Sequence, residues 1–174
     1  MIETIEVIIN NKKYTYNKDI ALYEIAKDFG DKFDFPILIA RVGNRLKELS
    51  STVEENCTIE FLDLTSKEGS IVHINGLVYV MVYAVKKLYG KHANIIVEHS
   101  LDKGVYIETT FRLTEEKVKE IKEKMKQVIA EDKPIIKSNV ERMEAKKYFE
   151  KVGDTAKAGI MQFSTNNYVT LYRS

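Results

Sequence analysis

Apolar and polar residues alternate through TIEVIINN (residues 4–11) and KKYTYN (12–17), the period-two pattern of half-buried strands. Asn10–Asn11 lies between them, a pair that tolerates the positive φ of a tight hairpin. The period then changes. Leu22, Ile25, Ala26 and Phe29 recur at helical spacing, with Asp19 placed as N-cap and Gly30 as C-terminal stop. PILIARV (36–42) predicts a short buried strand, Gly43–Asn44 a turn, and CTIEFLDL (57–64) a closing strand.

A second block opens with SIVHINGLVYVMVYAVKKLYG (70–90). Ser70 is placed to cap a helix, Lys86 and Lys87 fall in its last turn, and Gly90 ends it. From Leu77 to Val85 it is apolar on every face, which predicts burial on all sides, although its valines leave a pair of strands as the competing reading. NIIVEHS (94–100) and GVYIETTFRL (104–113) predict strands joined by a turn at Leu101–Lys103. Thr114, followed by Glu115 and Glu116, starts a long helix with Val118, Ile121, Met125, Val128 and Ile129 on one stripe. KPIIK (133–137) predicts a short strand. The capping box Ser138-x-x-Glu141 opens a helix over 139–152 that Gly153 ends, and NNYVTLYR (166–173) is a final strand.

Composition narrows the classes. With 44% hydrophobic and 30% charged residues, the 174-residue chain is that of a folded protein, not a disordered one. Residues 1–64 carry 8 Lys and Arg against 12 Asp and Glu, net −4, whereas 65–174 carry 19 against 14, net +5. The basic second half favours a phosphate-bearing partner, set against solvated surface lysines as the plainer reading. Cys57 is the only cysteine, so neither a disulfide nor a thiolate zinc site can form within one chain. The uncharged run 74–85 falls short of the roughly 20 residues that cross a bilayer, and MIETIEVIINN has no signal-peptide pattern. No membrane partner and a cytoplasmic location are expected.

The order of hairpin, helix and closing strands over 1–64 is a β-grasp arrangement, and LYEIAKDF, ILIARVGNRLKEL and CTIEFLDL leading into TSKEG resemble a TGS domain. That module is ubiquitin-like and implies regulatory, RNA or ligand contacts. YAVKKLYG, VEHSLDKGVYIE, NVERMEAKKYFEKVGDTAKAGI and YVTLYR resemble the second additional (editing) domain of threonyl-tRNA synthetases over residues 66–174. The resemblance implies an α+β fold class, a β-grasp TGS domain followed by an editing-like domain. In the synthetases the second domain hydrolyses mischarged seryl-tRNA, using two histidines four apart on one helix. The resemblance puts those positions on Asn75 and Tyr79. His73 lies two residues too early, and its own i+4 position is Leu77. An amide and a phenol do not exchange protons near neutral pH as imidazole does, and Leu77 supplies no metal ligand. No catalytic residue and no metal site are assigned.

Other positions survive. Lys157 in GDTAK matches a family lysine, with Ala156 in place of a tyrosine, and Gly104 and Tyr106 match a family strand. Asn75, Tyr79, His99, Tyr106 and Lys157 are the candidate ligand pocket, with Asp102 near the same turn as His99. The chain ends at Leu171–Ser174 as a strand finishes, which suggests an N-terminal fragment. TGS plus an editing-like domain without its histidines resembles the N-terminal region of a bacterial uridine kinase-like protein. That resemblance implies a nucleotide- or tRNA-sensing region that positions a C-terminal kinase domain of the same chain. ATP and Mg would belong only to that domain, because no G-x-x-x-x-G-K-[ST] loop is present here. The alternatives are an editing hydrolase for misacylated tRNA and a stand-alone RNA-binding module.

Overall fold

Asn10 and Asn11 adopt φ of 50° and 61°, closing the hairpin between β1 (Thr4–Ile9) and β2 (Lys12–Asn17). The computed structural model describes residues 3–90, 92–101 and 104–173. The chain is mixed α+β and divides into two compact units, Met1–Tyr79 and Val80–Ser174.

In the first unit, β4 (Ile39–Val42), β5 (Arg45–Lys47) and β7 (Cys57–Leu62) complete a five-stranded mixed sheet of order β2-β1-β7-β4-β5. Its central pair, β1 and β7, is parallel; the other pairs are antiparallel. A small ladder joins β3 (Ile20–Ala21) to β6 (Thr52–Val53). Alternation along β1 sends Ile5, Val7 and Ile9 inward, where they meet Leu22, Ile25 and Ala26 of α1 (Leu22–Lys27) and Phe29 just beyond it. Asp19 does not cap this helix. It takes φ 64° and donates its N–H to the Val53 carbonyl, so pairing of β3 with β6 moves the N-cap to Ala21. Gly30 likewise does not end α1, whose C-cap is Asp28; it opens a 3-10 turn over Gly30–Lys32.

The connection from β7 into α2 (Lys67–Tyr89) is tightly built. Asp63, only 7% exposed, accepts from the Thr65 N–H at 2.9 Å and the Thr65 hydroxyl at 2.5 Å. The Thr65 hydroxyl holds the Asp63 carboxyl below its ordinary value. The Ser66 hydroxyl donates to the Asp63 carbonyl and accepts from the Gly69 N–H, so Ser66 caps α2 and the helix starts three residues before Ser70. Arg41 bridges Glu60 of β7 and Glu68 of α2, the second contact at 2.7 Å.

α2 departs from the expected all-round burial. Among Leu77–Val85 only Ala84 and Val85 are buried, and Leu77 is 39% exposed. In the last turns of α2, Val85 packs with Ala93 and Ile121, flanked by Met81 and Tyr89. The 23-residue helix is longer than the uncharged run suggested, and by length and composition alone it suffices to cross a membrane. The run from Ser70 to Tyr83, between the capped start and the buried Ala84, is shorter than the ~20 residues of a span.

In the second unit, β8 (Ile95–Leu101) and β9 (Gly104–Thr109) form one antiparallel pair, with a register shift between Val97 and His99. The expected turn at Leu101–Lys103 lies mostly outside the described residues. Thr114 caps α3 (Glu115–Ala130) through the Lys117 N–H, as its position predicts. Only Ile121 of the α3 stripe is buried, while Val118 and Ile129 are 48% and 55% exposed. The Tyr89 hydroxyl donates to Glu120 at 2.7 Å, and the Lys117 ammonium lies over the Tyr89 and Phe111 rings.

The capping box at Ser138 does not form. Ser138–Glu141 belong instead to β10 (Ile136–Glu141), paired along its length with β11 (Tyr168–Arg173), because Val140 is needed on the inner face of that pair. α4 (Arg142–Val152) starts later, with Glu141 at the N-cap, and ends at Gly153 with φ 77°. A further helix, α5 (Thr155–Phe163), capped by Asp154, follows where the sequence pattern predicts none. Val140, Val169 and Leu171 pack with Ala145 and Phe149 of α4 and Ala158 of α5.

Burial, and then the Glu120 carboxylate, push the Tyr89 phenol up to about 12. Burial and Asp28 do the same to Tyr16. A phenol raised in the folded state contributes stability that is intact below the ordinary pKa of about 10 and lost as pH rises through the folded value. Alkaline spectrophotometric titration is expected to show late-titrating tyrosines near 12, one of them removed by Tyr89→Phe; titration of every tyrosine near 10 would contradict this.

Candidate functional site

The candidate residues are divided between the two units. Asn75 and Tyr79 lie four residues apart on α2 in the first unit. Asn75 is exposed, Tyr79 is half-buried, and His73 is exposed. His99 on β8 and Tyr106 on β9 are cross-strand partners in the second unit, so the fold brings these two together. Tyr106 is 49% exposed. Asp102 lies outside the described residues. Among the described residues no group of three or more His, Cys, Asp or Glu is placed to hold a metal ion.

Lys157 sits in a charged cluster of the second unit. Its ammonium is 3.3 Å from Asp154 Oδ2, and the same oxygen is 3.9 Å from the Lys86 ammonium at the end of α2. Asp154 Oδ1 accepts from the Lys157 N–H at 3.2 Å, so capping α5 fixes the carboxylate between the two cations. Phe149 lies 5.4 Å beneath the Lys157 ammonium. Side-chain exposures of 31% for Lys86 and 21% for Asp154 leave these two half-buried, while Lys157 is 47% exposed. Burial, and then the Lys157 charge, hold the Lys86 ammonium below its ordinary pKa, with Asp154 opposing. Burial pushes the Asp154 carboxyl up, but the Lys157 N–H and both ammonium groups outweigh it and the net direction is down.

Two cations sharing one carboxylate leave a surplus positive charge in a partly desolvated place. Such a place suits a phosphate oxygen or another anionic group as third partner. The sequence pattern places Lys86 only as a helix-end cation and gives Asp154 no role, although they lie in the stretches YAVKKLYG and GDTAK. The D-x-x-K spacing after Gly153 was the available signal for the cap.

The relatives are threonine–tRNA ligases. The chain is 30% identical over 144 residues to the threonine–tRNA ligase of Symbiobacterium thermophilum, covering 82% of this chain and 22% of that protein. It is 27% identical over 168 residues to the Thermotoga maritima enzyme, covering 94% of this chain and 26% of the relative. The Ehrlichia chaffeensis enzyme is 26% identical over 167 residues, again 94% and 26%. The chain thus spans about a quarter of the length of the curated relatives it matches, and the match is to their N-terminal region. No family model matches. Nothing among these relatives supports a uridine kinase-like parent.

Proposed function

We propose that the chain is a tRNA-binding module of the threonine–tRNA ligase type, a β-grasp TGS domain over residues 1–64 followed by an editing-like α+β domain over 66–174. Its expected compartment is the cytoplasm and its partner tRNA. The observation that carries this reading is the Lys86–Asp154–Lys157 cluster, which offers a surplus cation at the position of the lysine carried over by resemblance. Similarity to threonine–tRNA ligases along most of the chain supports the choice of RNA over other anions, as does the net +5 of residues 65–174. Hydrolysis of a misacylated tRNA through α2 is not part of the reading, because Asn75 and Tyr79 cannot shuttle a proton near neutrality.

Each lysine that contacts a phosphate contributes about one unit to the salt slope of binding. The Lys86→Ala/Lys157→Ala protein is expected to bind tRNA about tenfold or more weakly, with a shallower dependence on salt. If the unaltered chain fails to bind tRNA at low salt, the reading falls. Release of serine from seryl-tRNA by the purified chain would replace it with the editing-hydrolase reading.

A further inference from the structure

We propose that the outward face of the β10–β11 pair is a stacking surface for unpaired bases of a single-stranded nucleic acid. The register sets Lys137 opposite Tyr172, Asn139 opposite Thr170, and Glu141 opposite Tyr168. These six residues are exposed, while the alternate positions Val140, Val169 and Leu171 pack inward on α4 and α5. The inner face is therefore packed on the helices of the unit, and Tyr168 and Tyr172 lie on its other side. Tyr168 and Tyr172 keep 66% and 51% of their surface in water. Four residues apart on one strand, they stand about 13–14 Å from each other on the same side.

Between the rings, the Thr170 hydroxyl donates to Asn139 Oδ1 at 2.9 Å, which fixes the amide where it can meet the edge of a base. Aromatic rings flanking a polar centre on an open sheet are what splayed bases stack on, since every base offers a π-face and stacking does not depend on sequence. Charge makes the face asymmetric. Glu141 lies beside Tyr168, so a phosphate backbone is disfavoured at that end. Duplex nucleic acid buries its base faces and cannot use this surface. The inference rests on the proposed function for the identity of the nucleic acid as RNA, but its geometry is independent of the Lys86–Lys157 cluster.

The chain holds no tryptophan, so tyrosine emission reports on its rings directly. Titration of the full chain with a short single-stranded RNA is expected to quench that emission. Tyr168→Leu/Tyr172→Leu is expected to lose about tenfold or more in affinity, while Tyr168→Phe/Tyr172→Phe keeps it and the same RNA as a duplex binds about tenfold more weakly. Circular dichroism checks that each variant is folded; if the leucine pair is not, single leucine variants are read instead. Equal affinity of a folded leucine variant and the unaltered chain, equal affinity for duplex, or no binding of single strands overturns the inference. If tRNA binding responds to Lys86→Ala/Lys157→Ala but not to the tyrosine variants, this face is wrong and the proposed function stands. Tyrosine-dependent binding of single strands without tRNA binding is the reverse case.

Discussion

Gly69→Ala is expected to destabilise the first unit by ~3 kcal/mol or more, whereas Gly76→Ala, in the same helix, is expected to stabilise it by ~1 kcal/mol. In a helix interior alanine normally outranks glycine, because glycine loses more backbone freedom on folding. At Gly76 nothing lies within 4 Å of an added Cβ, so only that term acts. At Gly69 an added Cβ would come 1.8 Å from the Asp63 carbonyl oxygen, 2.5 Å from its carbon and 2.9 Å from Ser66 Oγ. The first two atoms are backbone and cannot rotate away. That carbonyl also accepts from the Ser66 hydroxyl at 2.7 Å and the Ser66 N–H at 3.2 Å, so moving it dismantles the cap of α2. A loss of that size is a large part of a domain's ~5–15 kcal/mol and lowers Tm by more than ~10 °C. Thermal melts of the two variants decide it. A Gly69→Ala protein melting at or above the parent would mean that the connection is not built as described.

Local rules were sound at two places where no second element competed for the same backbone. The Asn10–Asn11 turn and the Thr114 cap are settled by their own few residues, and both appear as the pattern predicts. The Ser138-x-x-Glu141 box has equally good local chemistry, yet β11 offers this backbone a ladder six residues long, and the strand wins. Asp19 fails as a cap for the same reason, since β6 takes up the residues before α1. Hydrophobicity was a poor guide to burial in α2, because composition records what a helix is able to cover, not what packs on it. The candidate site was half legible. Lys157 enters the candidate site by resemblance and the His99–Tyr106 pairing follows from the alternating strands, but the partnership of Lys86 with Asp154 joins residues 68 positions apart by number and is set by tertiary packing.

Phe29→Ala is expected to cost the first unit ~3–5 kcal/mol. Phe29 lies just past the end of α1, yet it completes the stripe begun by Leu22, Ile25 and Ala26 and is only 1% exposed. Its ring meets Tyr14 of β2 edge-on at 5.2 Å and Phe61 of β7 at 5.8 Å, with the Lys32 ammonium 4.5 Å from its centre. Truncation removes the transfer free energy of a whole aromatic side chain, leaves a cavity between helix and sheet, and ends three ring contacts together. Rigid strands on one side limit how far the surroundings can collapse into the gap, which puts the cost at the upper part of the range. Phe163, 84% exposed at the end of α5, is the internal comparison: Phe163→Ala is expected to stay within about 0.5 kcal/mol of the parent. Urea unfolding with hydrogen exchange on β1 and β7 as the local readout separates the two. Loss of less than about 1 kcal/mol in Phe29→Ala would show that the helix settles onto the sheet without this ring, and that Leu22 and Ile25 alone hold it there.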